Sequence, residues 1–213
     1  MKLLFSSVFL FLLFGFNFAQ KYEKFTEDEK SLIQSNSSEM MRVYNLVNSN
    51  DSIVLNSSSK TVDPKNKFTK LLAERMLLSV NDPAHKGVGI AAPQVGINRR
   101  MLLVQRFDKE GKPFELFINP EIIWGSELMQ KGPEGDLSFE DRGEVMRHYI
   151  VQVKYFNLKS ESITEILEGF TSVIFQHERD HLDGILLTDR IEEQKTKNYQ
   201  YAPGTANLYF LID

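Results

Sequence analysis

The sequence predicts an α+β fold in which antiparallel strands surround one central helix. Three observations carry that prediction. Short apolar runs rich in branched and aromatic residues, such as Met101-Leu102-Leu103-Val104 and Ile150-Val151-Gln152-Val153, fill the middle of the chain. A stripe of apolar residues at helical spacing then runs through Ile163, Ile166, Leu167, Phe170, Val173 and Ile174. Continued forward, the stripe lands on His177-Glu178-Arg179-Asp180-His181, an H-E-x-x-H pentad whose histidines, at i and i+4, project from one helix face.

The chain has 213 residues, which suits one domain with an additional processed or flexible end. With 42% hydrophobic and 25% charged residues it has the balance of a globular protein rather than a disordered one. A net charge of −4 without a basic patch argues against nucleic acid as a partner. The absence of cysteine excludes disulfides, thiolate metal ligands and a cysteine nucleophile.

Residues 1–19 have the pattern of a signal peptide: Lys2, an apolar run over 3–14, and Asn17-Phe18-Ala19 before cleavage at Gln20. The run is shorter than the ~20 residues of a spanning helix. An uncleaved N-terminal anchor is the alternative. Either way the chain is expected to be exported, to a periplasm or outside the cell, and to keep no stable membrane anchor after cleavage.

Residues 20–67 form an N-terminal extension, polar and partly helical, expected to sit loosely on the core. The spacing allows a helix over 27–47, followed by a soft stretch over 48–60. Residues 68–80 have helical spacing, and Asn81-Asp82-Pro83 ends it. The two runs around Asp108-Lys109-Glu110-Gly111 predict a hairpin, and 150–156 a further strand. Ser162 and Glu165 have the S-x-x-E spacing of a capping box, which starts the central helix there, and Asp183-Gly184 stops it. The catalytic domain is expected over 68–191 and a C-terminal tail over 192–213.

Three segments carry candidate chemistry. Two histidines on an apolar face can be hydrogen-bonded core residues. Burying them with Glu178 and no metal is costly, however, and this favours ligation. Glu178 is then placed to take a proton from water. Gly87-Val88-Gly89-Ile90-Ala91-Ala92-Pro93-Gln94 combines glycines that permit close backbone approach with an amide able to donate to a developing oxyanion, although such runs are often plain packing. In Glu134-Gly135-Asp136-Leu137-Ser138, Asp136 is a carboxylate at a turn, where bonding its own backbone is the simpler role. His85 and His148, outside any motif, are expected at the surface, and Trp124 in the core.

Taken in order, GVGIAAPQ, EGDLS and HERDHLDG resemble the peptide deformylase motifs G-x-G-[LI]-A-A-x-Q, E-G-C-L-S and H-E-x-D-H-L-x-G. Ile118-Asn119-Pro120 and Gly143-Glu144-Val145-Met146-Arg147 also match, and the resemblance covers about 68–191. The one defining mismatch is Asp136, where the family has its metal-binding cysteine.

The resemblance implies a peptide-deformylase-like fold in which Asp136, His177 and His181 hold one divalent ion. Fe2+ or Zn2+ suits two imidazoles and a carboxylate, with Ni2+ or Co2+ as further candidates. It implies hydrolysis of the formyl group from N-formyl-methionyl peptides, with Glu178 as base and Gln94 and the Leu137 N–H on the oxyanion. Val88, Gly89, Gly135, Phe170, Val173 and Ile174 would line the substrate pocket. Arg147 would lie near the substrate chain, or else be a surface strand residue. The expected partner is an N-formyl peptide, and the expected state a monomer. The competing readings are a secreted metallopeptidase or amidase on the same scaffold, or a deformylase-like binding protein with weakened catalysis. A carboxylate ligand would also resist the oxidation that threatens a thiolate outside the cytoplasm.

Overall fold

The computed structural model describes residues 22–212, so the signal peptide expected over 1–19 lies outside the described residues. Among the described residues, no helix is long and apolar enough to cross a membrane. The elements run α1 (Glu27–Gln34), α2 (Ser49–Leu55), α3 (Lys67–Val80), β1 (Gly89–Ala91), a 3-10 turn (Ala92–Val95), β2 (Met101–Gln105), β3 (Phe114–Gly125), β4 (Leu128–Asp136), β5 (Phe139–His148), β6 (Ile150–Phe156), β7 (Ser162–Glu168), α4 (Gly169–Leu182), α5 (Leu187–Gln194), β8 (Asn198–Tyr201) and β9 (Leu208–Ile212).

Two antiparallel sheets result, β1-β2-β3-β6-β7 and β5-β4-β9-β8. The first is covered on both faces, which explains the unbroken apolar run of β2. Met101, Leu103 and Ile118 pack with α3 on one side. On the other side Leu102, Val104 and Phe117 meet α4, where Phe117 packs edge-on against Phe175 with ring centres 5.1 Å apart. The expected hairpin is present as β2 and β3. The fold is therefore α+β with α4, the pentad helix, laid against the sheet.

The N-terminal half of α4 differs from the sequence prediction. Ser162–Glu168 is a strand paired with β6 along its whole length, from Phe156↔Ser162 to Ile150↔Glu168. The residue that would close a capping box, Glu165, instead bonds the buried Arg106 at 3.0 Å and the Tyr155 hydroxyl at 2.7 Å. Long-range pairing outweighs the local preference. The helix starts one residue later, at Gly169 with φ 59, and ends where Gly184 takes φ 70.

The extension differs as well. The predicted helix over 27–47 stops at Gln34, because Ser35 is extended and Asn36 takes φ 50. Arg75 donates to the carbonyls of Leu32 and Ile33 at that end, satisfying groups the helix leaves open. The stretch expected to be soft contains α2, whose N-cap Asn48 accepts from the N–H groups of Asn50 and Asp51. The extension is firmly tied to the core: buried Arg99 forks onto Glu29 at 2.8 and 2.6 Å. Asn119, at φ 50 in β3, pins Val62 through both backbone groups. The tail joins the second sheet through β8 and β9. Trp124, expected in the core, is 52% exposed.

Candidate active site

Three elements deliver the candidate residues to one place. Successive turns of α4 present His177, Glu178 and His181, all buried. The end of β4, where a register shift separates Glu134 from Asp136, presents the Asp136 carboxylate. The 3-10 turn after β1 presents Gln94. The extended segment before α2 ties the last two together: the Tyr44 N–H donates to the Gln94 carbonyl at 2.8 Å and the Leu46 N–H to the Ser138 carbonyl at 3.1 Å.

Asp136 Oδ2 lies 3.2 Å from His181 Nε2 and 3.8 Å from His177 Nε2. One ligand atom from each of the three residues falls within 4.8 Å of the others. Donors bonded at ~2.0–2.2 Å to one tetrahedral ion stand roughly 3.4 Å apart, so the trio fits. His177 Nδ1 is engaged by Glu134 Oε2 at 2.9 Å, which fixes the tautomer that turns a lone pair at Nε2 toward Asp136. His181 Nε2, though 3.2 Å from Asp136 Oδ2, makes no well-directed hydrogen bond, and Glu178 Oε2 is buried with no hydrogen-bond partner among the described residues. Orphaned buried polar atoms of this kind call for a ligand.

The electrostatics agree with that reading. Burial opposes charge on His177, yet its bond to Glu134 and the carboxylates of Glu178 and Asp136 push its pKa up to about 9. The carboxylates around His177 thus favour a positive charge beside them. Burial would raise the Asp136 carboxyl, but His181, His177 and the Ser138 N–H hold it well below the usual carboxylate range. Glu178 goes the other way: burial raises it to about 7, against the pull of both histidines. Neighbouring carboxylates pushed apart in this way suit different roles, a permanent anion and a proton carrier.

A cavity of about 760 Å³ opens over His177, Glu178, Asp136 and Gln94, large enough for a short peptide segment. Val88, Gly89, Gly135 and Leu137 line it as expected. Gly89 is required there, since a Cβ on it would overlap Glu178 Oε1 and stand 2.8 Å from Ile174 Cγ2. Phe170, Val173 and Ile174 are not among the lining residues. Phe170 packs against Phe107, and Ile174 belongs to the core under β1 and β2.

Arg147 is neither at the surface nor on the cavity wall. It is 5% exposed, behind the histidines, and bonded to Glu134 and Asp180. The Gly143-to-Arg147 match locates the strand but not the direction its arginine points. His85 is exposed as expected, whereas His148 is half-buried with Nδ1 2.6 Å from the Ser126 carbonyl.

Sequence reasoning missed several contributors. Glu134 and Asp180, the partners of Arg147, stand inside the quoted motifs, and their charge beside a candidate ligand was the available signal. Arg142 and the segment Met40 to Val43 also line the cavity, and no local pattern marks them.

Comparison with known proteins places these features in a family. The model of the polypeptide deformylase family matches residues 43–197. A peptide deformylase of Thermotoga neapolitana is 40% identical over 143 residues, 67% of this chain and 84% of that protein. Among solved structures, the peptide deformylase of Thermotoga maritima superposes with a TM-score of 0.64 at 36% identity, covering 71% of this chain and 97% of that one. A class I type b peptide deformylase from Acinetobacter baumannii with Met-Ala-Ser bound gives a TM-score of 0.63 at 34% identity, over 71% and 99% of the two chains.

Proposed function

This chain belongs to the peptide deformylase family, and we propose that it removes the N-formyl group from formyl-methionyl peptides as a metal-dependent hydrolase acting outside the cytoplasm. The family's members are hydrolases that use one divalent metal ion, commonly Fe2+. The observation that carries the metal reading is the convergence of one ligand atom from each of Asp136, His177 and His181 within 4.8 Å of one another. These three residues would hold the ion, Fe2+ or Zn2+ by donor type. A bound divalent cation supplies Lewis acidity, polarising the formyl oxygen and making water more acidic.

The chain's own residues do the rest. Glu178, with a free Oε2 and a pKa raised toward neutrality by burial, takes a proton from the attacking water and returns it to the departing amine. The formyl C–N bond breaks, giving formate and a free N-terminus. The Leu137 backbone N–H, on the cavity wall beside Asp136, receives the oxyanion; Gln94, expected to share that role, has its Nε2 directed at Asp136 Oδ1 instead, at 3.1 Å. Gly89 and Gly135 let the peptide backbone come close. Met-Ala-Ser in the Acinetobacter enzyme is a peptide of the size this cavity admits.

Export is supported by Lys2 and the apolar run over 3–14. Formyl peptides released from cells are the substrates available there. The test is formate release by the mature chain, reconstituted separately with Fe2+, Zn2+, Ni2+ and Co2+, from formyl-Met peptides against acetylated and unmodified ones. Release from the formylated peptides alone supports deformylation. Cleavage of internal peptide bonds would point to a peptidase instead.

A further inference from the structure

The Gln94 side chain is held at both ends. Its Oε1 accepts the Ala91 N–H at 2.8 Å, which orients the amide so that Nε2 faces β4. Nε2 then donates to Asp136 Oδ1 at 3.1 Å and lies 3.4 Å from Ser138 Oγ. The Ser138 N–H donates to the same Oδ1 at 2.7 Å. One carboxylate oxygen is therefore occupied by two donors, while the other, Oδ2, faces both imidazoles. A thiolate has a single donor atom and needs no such selection. A carboxylate has two, and left free it can chelate an ion through both or swing away from it.

We infer that Gln94 is a positioning residue for Asp136: its amide ties down Oδ1 and so makes the carboxylate a one-oxygen ligand with a fixed direction. This deepens the metal reading above and rests on Asp136 being a ligand. The extended segment at Tyr44 to Leu46 serves the same end, because its bonds to the Gln94 and Ser138 carbonyls keep the two loops in register. An outer partner of a metal ligand is worth 10–100-fold in metal affinity. A carboxylate ligand makes that dependence specific to this chain's replacement of cysteine by aspartate.

The test is Co2+ affinity, by competition with a chelator, together with the visible spectrum of the Co2+ protein. Two variants are used, Gln94→Met, which keeps volume but cannot donate, and Gln94→Glu, which keeps the acceptor for Ala91 N–H but turns an oxygen toward Oδ1. Each is made in the parent and in Asp136→Cys, with thermal unfolding confirming the fold. The expected result is a loss of about 10–100-fold in Co2+ affinity in the parent background, with weaker visible absorption as the ion gains a fifth ligand, and a loss below about threefold in Asp136→Cys. Unchanged affinity and spectrum in both backgrounds would overturn the inference, as would equal losses in both. Asp136→Ala separates the two readings. If it binds Co2+ as tightly as the parent, the ligand assignment is wrong. If it loses the metal while Gln94→Glu does not, the assignment stands and only the role of Gln94 falls.

Discussion

Arg147 grips Glu134 through two bonds, Nε to Oε1 and a terminal nitrogen to Oε2, each 2.9 Å long, and Glu134 in turn accepts the Nδ1–H of His177 at 2.9 Å. The same guanidinium reaches Asp180, which Arg190 also holds with two bonds, at 2.9 and 2.6 Å. Burial would raise Glu134, but Arg147 and His177 lower its pKa to about 2, so it stays an anion. Behind the candidate ligands thus stand buried Arg147, Glu134 and Asp180, with half-buried Arg190 closing the set from outside. Arg147→Ala takes the fork from buried Glu134, leaving it only His177, and leaves Asp180 with Arg190 alone, which should cost about 3 kcal/mol, read by denaturant unfolding. Arg147→Lys should recover only part of that, because an ammonium cannot form the fork.

Glu178→Ala should abolish formate release while leaving bound metal unchanged, since Glu178 is no part of the trio around the ion. A loss of about 100-fold or more is expected for a general base. Substantial turnover by the metal-loaded variant would remove Glu178 from that role.

Gly89→Ala should lower activity sharply without unfolding the chain. The added methyl meets Glu178 Oε1 and Ile174 in a place where the glycine φ is ordinary, so the cost is steric crowding at the base. A displacement on the order of 1 Å there can cost about 100-fold in rate. The reading is kcat alongside thermal stability. A variant that lost stability but kept kcat would show that Gly89 serves packing alone.

Asp136→Cys tests the reason for the carboxylate. The variant should bind metal and lose activity in air faster than the parent, with protection under anaerobic conditions, because a thiolate climbs the oxidation ladder and a carboxylate does not. Equal durability in air would remove oxidation as the rationale.

Acid stability should depend on Asp108. The bond from Arg106 is the main cause that lowers its pKa from 3.8 to about 2. A carboxyl whose folded pKa is depressed contributes stability that is fully present above the unfolded value and lost as pH falls through the folded one. Asp108→Asn should therefore be less stable than the parent above about pH 4, with the gap closing as pH falls toward 2. A constant gap across that window, in denaturant titrations at each pH, would contradict the ion pair.

The sequence made the site more legible than the fold around it. The apolar stripe into His177 located the pentad helix because Val173, Ile174, Phe175 and Leu182 are buried with it. Its start was not legible. Ser162–Glu168 satisfies a helical cap and a strand about equally, and pairing with β6 along its whole length favours the strand, with Arg106 and Tyr155 taking the Glu165 side chain. Gln94, Asp136 and Glu178 were legible as chemistry through the resemblance of their three motifs, taken in order, to those of the peptide deformylase family. The bond from Gln94 to Asp136 was not, since it depends on how the 3-10 turn after β1 meets the end of β4, which belongs to the other sheet. Arg147 was misplaced for the same reason: sequence gives its strand, but only the packing of β5 on α4 turns its side chain inward.

The central claim is that Asp136 completes a metal site that hydrolyses formyl peptides. It is tested most directly by metal content and formate release from formyl-Met-Ala-Ser, measured anaerobically after Fe2+ loading, for the parent and Asp136→Ala. Close to one equivalent of metal and steady release of formate are expected for the parent, and loss of both in Asp136→Ala. Equal metal and equal turnover in the two proteins, or a parent that holds no metal and releases no formate, would contradict it.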